Sequence, residues 1–296
     1  MDALETTMMM ARRPLLALAI CLAIVVALTA QTPANGQRII SLVPAATEML
    51  FAIGAGPEVV GVSSFDTYPP EVATRTRVGA LVDPDYERIL TLRPTLVVVY
   101  GSQTDLVERL GRSRIPVFSY RHVGLPDVTT TIRELGARVG RMTEANALAS
   151  AIEAKLADVR RRVSGLPRPK TMLVFSREVG ALRGIYASGG IGFLHDLLVT
   201  AGATDVFADV MRQNVQVSSE QLLARAPEVI LELWPSKGWS AARETQERAA
   251  WRQLPAVPAV RANRILMLAD DKLTIPGPRV GEVAQALADA LHGTAR

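Results

Sequence analysis

Apolar residues along this chain alternate between two spacings. Short continuous runs, Arg38-Ile-Ile-Ser-Leu-Val43, Val59-Val-Gly-Val62, Leu96 to Tyr100 and Ile115-Pro-Val-Phe-Ser-Tyr120, read as buried strands. Between the first two, Thr47-Glu-Met-Leu-Phe-Ala-Ile53 has helical spacing and stops at Gly54. A second series follows, with strands expected at Thr171-Met-Leu-Val-Phe175, Val229-Ile-Leu-Glu-Leu233 and Arg264-Ile-Leu-Met-Leu268. Helices are expected from Phe193 to Ala201, Gln221 to Arg225 and Val280 to Leu291. Strands that alternate with helices predict parallel sheets, because parallel neighbours need a crossover connection. The pattern therefore predicts two α/β lobes.

Between the two series, Thr143 to Val163 carries apolar residues at Leu148, Ile152, Leu156, Val159 and Val163, which form one face of a helix. At 1.5 Å per residue that helix is about 30 Å long. Lacking the Gly and Ser of a flexible hinge, it reads as a stiff strut. The expected organisation is an N-terminal α/β lobe over 35–126, a helical linker over 127–165 and a C-terminal α/β lobe over 166–296. One unit occurs in both lobes. Tyr86–Val99 (YERILTLRPTLVVV) and Ser219–Leu231 (SEQLLARAPEVIL) each read as a short helix, a proline stop at Pro94 or Pro227, and a core strand. Glu87 and Glu220 occupy matching places at the helix starts, where the helix dipole favours a carboxylate. Taken alone they are ordinary exposed first-turn acids; taken together they are a matched pair that suits a duplicated partner.

The first 34 residues follow neither pattern. Arg12 and Arg13 precede the apolar run Pro14 to Leu28, which is followed by small and polar residues through Ala34, as in an export signal. An uncleaved membrane anchor is the alternative, and both place the remainder outside the cytoplasm. The single cysteine, Cys21, lies inside that run, and bulky Ile20 before it speaks against lipid attachment. A processed chain has no thiol, which removes disulfides, cysteine metal sites and cysteine nucleophiles. With 49% hydrophobic and 21% charged residues, the chain can bury one large core or two ordinary ones. Its formal charge of +4 is scattered, Arg160-Arg161-Arg162 being the one basic run, and aromatics are only 5%; nucleic-acid binding, which wants a concentrated basic face, is set aside.

In open α/β sheets, ligands bind beyond the carboxyl ends of the strands. The residues there are Phe65 and Tyr68, Tyr100 and Gln103, Arg121 and His122, Arg177, Trp234 with Lys237 and Trp239, and Asp270, Asp271 and Lys272, with Arg183 and Tyr186 in a nearby loop. Phe65, Tyr68, Tyr100, Arg121, Arg177, Arg183, Tyr186, Trp234 and Asp271 are the expected ligand-binding set. Aromatics supply flat contact area and Arg grips carboxylate or catecholate oxygens, so the mixture suits a large chelate with an anionic or polar rim. Phe65 and Trp234 are equally readable as core, the three arginines as solvated loop charges or as partners of Asp and Glu, and His122 as a surface or satisfied histidine. For an enzyme, the chain offers no Gly-x-Ser-x-Gly, His-Glu-x-x-His or P-loop, and Gly190-Ile-Gly192 is a weak signal without its third glycine. His122, His195 and His292 are widely separated, which speaks further against an enzyme, and a bare-metal receptor would want several His and carboxylates converging where the lobes offer only His122 and His195. No catalytic residue, resident metal or cofactor is expected.

Arg38 to Gly54, Val60 to Pro70, Glu87-Arg-Ile-Leu with Arg93-Pro-Thr-Leu-Val97, Gly192 to Phe207 and Ser218 to Leu231 resemble the periplasmic substrate-binding proteins of iron-siderophore and cobalamin ABC importers. The resemblance runs in order over essentially the whole mature chain. It implies two Rossmann-like lobes with mostly parallel sheets, joined by a single long backbone helix, and a metal chelate held between them by a monomer. It implies further that Glu87 and Glu220 dock on arginines of a permease dimer powered by its ATPase. Cobalamin binders of this type carry tryptophan where this chain has Leu81, Asn214 and Lys272, with Tyr100 a partial match, so a ferric chelate is expected slightly ahead of a corrinoid. A bare-metal receptor, a secreted α/β enzyme and an interaction or sensory protein on the same scaffold are the rival readings.

Overall fold

The computed structural model describes residues 36–293; the expected export segment, Cys21 included, lies outside the described residues. From Arg38 onward the chain forms one compact unit. Its first lobe runs β1 (Ile39–Ser41), α1 (Pro44–Ala52), β2 (Val59–Val62), β3 (Thr76–Arg77), α2 (Tyr86–Thr91), β4 (Leu96–Tyr100), α3 (Thr104–Arg112) and β5 (Val117–Tyr120). These strands form a sheet in the order β3-β2-β1-β4-β5, parallel throughout.

Two helices then carry the chain across, α4 (Pro126–Val139) and the long α5 (Met142–Arg162). The second lobe follows as β6 (Lys170–Ser176), β7 (Ile185–Ser188), α6 (Phe193–Thr200), β8 (Thr204–Asp205), β9 (Asn214–Val217), α7 (Ser219–Arg225), β10 (Val229–Trp234), α8 (Ala241–Ala250), α9 (Pro258–Arg261), β11 (Ile265–Ala269) and α10 (Val280–His292). Here β11, β10 and β6 are parallel, while β7 and β9 add an antiparallel edge. That edge gives no strong sequence signal: β7 is four residues long and β9, Asn-Val-Gln-Val, is half polar.

The repeated unit has the same backbone in both lobes. After α2 and α7 the chain passes through a left-handed residue, Arg93 (φ 46°) or Ala226 (φ 46°), before Pro94 or Pro227 and the strand. A residue before proline is disfavoured in the right-handed helical region, so neither helix continues into Arg93 or Ala226: α2 ends at Thr91 and α7 at Arg225. Each short helix is also capped at its start. Asp85 accepts from the Arg88 N–H (3.0 Å), and Ser218 and Gln221 form a reciprocal capping box.

The strut is buried on one face by Ala145, Ala149, Ile152, Leu156 and Val159, whereas the expected Leu148 is only partly buried. One continuous apolar cluster runs from Ile39, Val59 and Val98 of the first sheet, through α4 and α5, to Leu173 and Leu231 of the second sheet and Leu287 of α10. The lobes are also clasped directly. Arg279 donates from Nε (2.9 Å) and Nη2 (2.6 Å) to the buried Glu48 carboxylate of α1, and its guanidinium lies 4.0 Å from the Tyr68 ring centroid. Burial raises the Glu48 pKa while Arg279 pulls it back down. Among the described residues no helix is long and apolar enough to cross a membrane.

The turn from α4 into α5 depends on a close approach. A Cβ on Gly136 meets the Ala145 Cβ at 2.2 Å and the Arg141 carbonyl at 2.9 Å. Gly136→Ala therefore sets a gain of ~1 kcal/mol in helix propensity against overpacking of ~1–3 kcal/mol in a buried contact. The clash wins, and the urea midpoint of the variant is expected to fall.

Candidate functional site

A cavity of about 990 Å³ lies between the lobes, lined by segments that follow strands. The first lobe contributes Val43 to Ala45 after β1, Phe65 and Thr67 after β2, Tyr100 to Ser102 at the end of β4 and Tyr120 to His122 at the end of β5. The second lobe contributes Pro235 and Lys237 after β10 and Asp271 with Thr274 to Pro276 after β11. This is where parallel sheets place their ligands, because loops at the carboxyl ends are free to vary while the strands hold them fixed.

Phe65 is 72% exposed, an unusual place for a phenylalanine, yet its loop is firmly tied. Asp66 accepts from the Ser63 N–H (2.7 Å), Ser63 Oγ accepts from the Phe65 N–H (3.2 Å), and Arg77 donates to the carbonyls of Ser63 and Asp66 (both 2.8 Å). An exposed aromatic on a rigid loop presents apolar area with little ordering left to lose on binding. Tyr100 is fixed similarly, its N–H donating to Gln103 Oε1 (2.9 Å) while Gln103 Nε2 donates to the Leu81 carbonyl (3.0 Å).

An aromatic wall continues from there across the lobes. Tyr100 meets Tyr120 edge-on (6.0 Å), Tyr120 lies parallel to His122 (6.2 Å), and His122 meets Phe193 of α6 edge-on (5.5 Å). Both His122 ring nitrogens and the Tyr120 hydroxyl are buried without a hydrogen-bond partner among the described residues. Burial lowers the His122 pKa against the opposing pull of Asp127 and Asp196, and pushes the Tyr120 phenol up. Tyr120 lies outside the expected set although it lines the cavity; its place at the carboxyl end of β5 is the signal the sequence offers. The Thr274 to Pro276 segment also lines the cavity without belonging to the expected set; the Pro276-Gly-Pro278 stretch that follows β11 is its loop signal in the sequence.

Of the expected ligand-binding set, Phe65, Tyr100, Arg121 and Asp271 come together in this cavity. Asp271 is already engaged, accepting from the Ser236 N–H (2.9 Å) and hydroxyl (2.6 Å), and so fixes the Pro235–Lys237 loop. Arg177 is a correction. Its side chain is fully buried, and Nε (2.6 Å), Nη2 (3.1 Å) and Nη1 (2.7 Å) donate to Glu232 and Glu247, leaving no free edge for ligand oxygens. Pairing with an acid is one of the two ordinary readings of this arginine; which acid it meets is not legible in the sequence, because Glu247 lies 70 positions away. Tyr68 belongs to the Glu48–Arg279 clasp, Arg183 is solvated and pairs with Glu178 (3.0 Å), and Tyr186 faces a separate hollow beside β9. Trp234 lines a smaller cavity adjoining the large one. Glu87 and Glu220 are exposed in the first turns of α2 and α7.

A cavity framed by the strand ends of two lobes on a common strut defines a two-lobed ligand receptor. The family model described as periplasmic binding protein matches residues 39–271, and the chain belongs to that family. It is 30% identical over 256 residues to the vitamin B12-binding protein of Salmonella typhimurium strain LT2, covering 86% of this chain and 90% of that one. It is 27% identical to the uncharacterized ABC transporter substrate-binding lipoprotein YvrC of Bacillus subtilis strain 168, covering 86% and 80%. Among solved structures, the periplasmic heme-binding protein RhuT of Roseiflexus sp. RS-1 superposes with a TM-score of 0.69 at 25% identity, covering 86% of this chain and 98% of that one. The chain is a substrate-binding component of an ABC importer.

Asp66 supplies a titration test of the Phe65 loop. Burial raises its carboxyl from the ordinary value of 3.8 to about 6. The folded chain then binds a proton that the unfolded chain has released, so the contribution of Asp66 to stability falls as pH rises from about 4 to about 6 and is constant above, and it is read as the difference between the unaltered chain and the Asn variant. The expected decline is up to ~3 kcal/mol, measured as the free energy of urea unfolding against pH, and Asp66→Asn is expected to remove it.

Proposed function

We propose that this chain captures a metal chelate between its lobes and hands it to a permease dimer driven by a separate ATPase. The observation that carries this reading is the large inter-lobe cavity, walled by Phe65, Tyr100 and Tyr120 and edged by Arg121 and Lys237. Neither cation has an ion-pair partner among the described residues, so both are available to a polar or anionic rim. Corrinoids rank first, because a relative at 30% identity is named a vitamin B12-binding protein; this reverses the order expected from the missing tryptophans at Leu81, Asn214 and Lys272. Haem is the second reading, supported by the name of the structural neighbour, and ferric siderophores the third. A bare cation is disfavoured by the wall's chemistry: His122 is its one imidazole and Asp271 its one carboxylate, whereas a structural or catalytic zinc is held by three or four such donors.

The working form is a monomer in the periplasm, exported by a cleavable signal over 1–34, and it performs no covalent chemistry. Glu87 and Glu220 are its docking acids, one per lobe, each held by a capped helix start. Calorimetric titration of the processed chain with cobalamin, haem, a ferric catecholate, a ferric hydroxamate, Zn²⁺ and Mn²⁺ is expected to show saturable binding of a chelate and none of the bare ions. Binding of bare ions alone contradicts the proposal. Charge reversal at both acids, Glu87→Lys with Glu220→Lys, is expected to abolish uptake in cells while leaving ligand affinity unchanged; a comparable loss of affinity contradicts the docking role.

A further inference from the structure

Beside the large cavity lies a second, of about 400 Å³, and the two share Pro235 and Lys237 in their walls. Its distinguishing feature is a pair of half-buried indoles, Trp234 and Trp239, stacked at 5.4 Å with 29° between their planes. The inner indole is held in place from behind. Trp234 Nε1 donates to Glu232 (3.3 Å), and the Arg177 guanidinium sits 5.1 Å from the Trp234 ring centroid. Arg177 is itself fixed by Glu232 and Glu247, and Glu247 also pairs with Arg243 (2.6 Å) and accepts from the Gly180 N–H (3.0 Å).

Buried ion pairs are a poor source of stability, since well-packed apolar side chains of similar volume do as well or better. What this one provides is orientation: two carboxylates and two guanidinium groups hold one indole at a fixed angle to the cavity. Their charges cancel, which leaves Lys237, at the junction of the two cavities, as the cation of the smaller one without an ion-pair partner among the described residues. A flat platform with a cation at its entrance is matched by an aromatic ring on an anionic arm, because rings stack on indole and an oxyanion pairs with the ammonium.

Resting on the corrinoid reading above, we propose that the smaller cavity is a second ligand subsite. It takes the aromatic base that a complete corrinoid carries on a phosphate-bearing arm, with the base on the Trp239–Trp234 stack and the phosphate beside Lys237. The macrocycle occupies the large cavity.

The test compares cobalamin, which has the arm, with cobinamide, which has the same macrocycle and no base. Calorimetry on the unaltered chain is expected to give at least tenfold tighter binding of cobalamin. Trp239→Ala is expected to erase most of that difference by weakening cobalamin about tenfold or more, the loss typical when a stacking partner is removed. Cobinamide affinity stays unchanged and reports that the variant is folded, and Trp239→Phe retains most of the difference. Equal binding of the two corrinoids, or equal weakening of both by Trp239→Ala, overturns the subsite and leaves the corrinoid reading intact. Binding of neither corrinoid overturns both.

Discussion

The packing of α5 into both halves of the molecule is the constraint on which the rest depends. Its buried face, Ala145, Ala149, Ile152, Leu156 and Val159, belongs to the same apolar cluster as core residues of both sheets. Apolar interiors are close-packed and change shape only by repacking. A large swing of one lobe about this helix would expose part of that cluster to water, at ~25 cal/mol for each Å² uncovered. The Glu48–Arg279 clasp adds a second tie across the lobes, one that leaves a buried carboxylate unpaired if it opens.

With the frame held this way, the cavity has to be built in advance, and its loops are. Asp66 and Arg77 fix the turn that exposes Phe65, Gln103 fixes Tyr100, and Asp271 fixes the loop bearing Lys237. Polar side chains near the cavity are therefore mostly occupied in holding protein to protein. Arg121 and Lys237 line the cavity without an ion-pair partner among the described residues, and the buried polar atoms of His122 and Tyr120 likewise have no hydrogen-bond partner among them. Affinity in such a site comes from low ordering cost and aromatic contact more than from many charges.

Much of this was legible in the sequence because it rests on local rules. The strands Val59–Val62 and Leu96–Tyr100, the strut, and the paired helix, proline and strand units follow from apolar spacing and from proline chemistry. The antiparallel edge of the second sheet was not legible, since β7 and β9 are short and partly polar and owe their pairing to tertiary context. The site divided along the same line. Residues placed by strand ends, such as Phe65, Tyr100 and Arg121, could be located from position alone. Arg177 and Tyr68 could not, because what decides their roles is a distant partner: Glu247 for one, the Glu48–Arg279 pair for the other. An arginine after a strand looks the same in sequence whether it faces a ligand or a buried carboxylate.

The central claim is that the two lobes hold nearly fixed positions across the cavity. Since the one cysteine lies in the expected export segment, Glu87→Cys and Glu220→Cys in the processed chain provide a unique pair of labelling sites on the two lobes. The distance between spin labels at these positions, measured by pulsed electron resonance with and without bound chelate, is the most direct test. Movement of no more than a few ångströms is the predicted result; a change of about 10 Å or more, as in hinge-type closure, would contradict it.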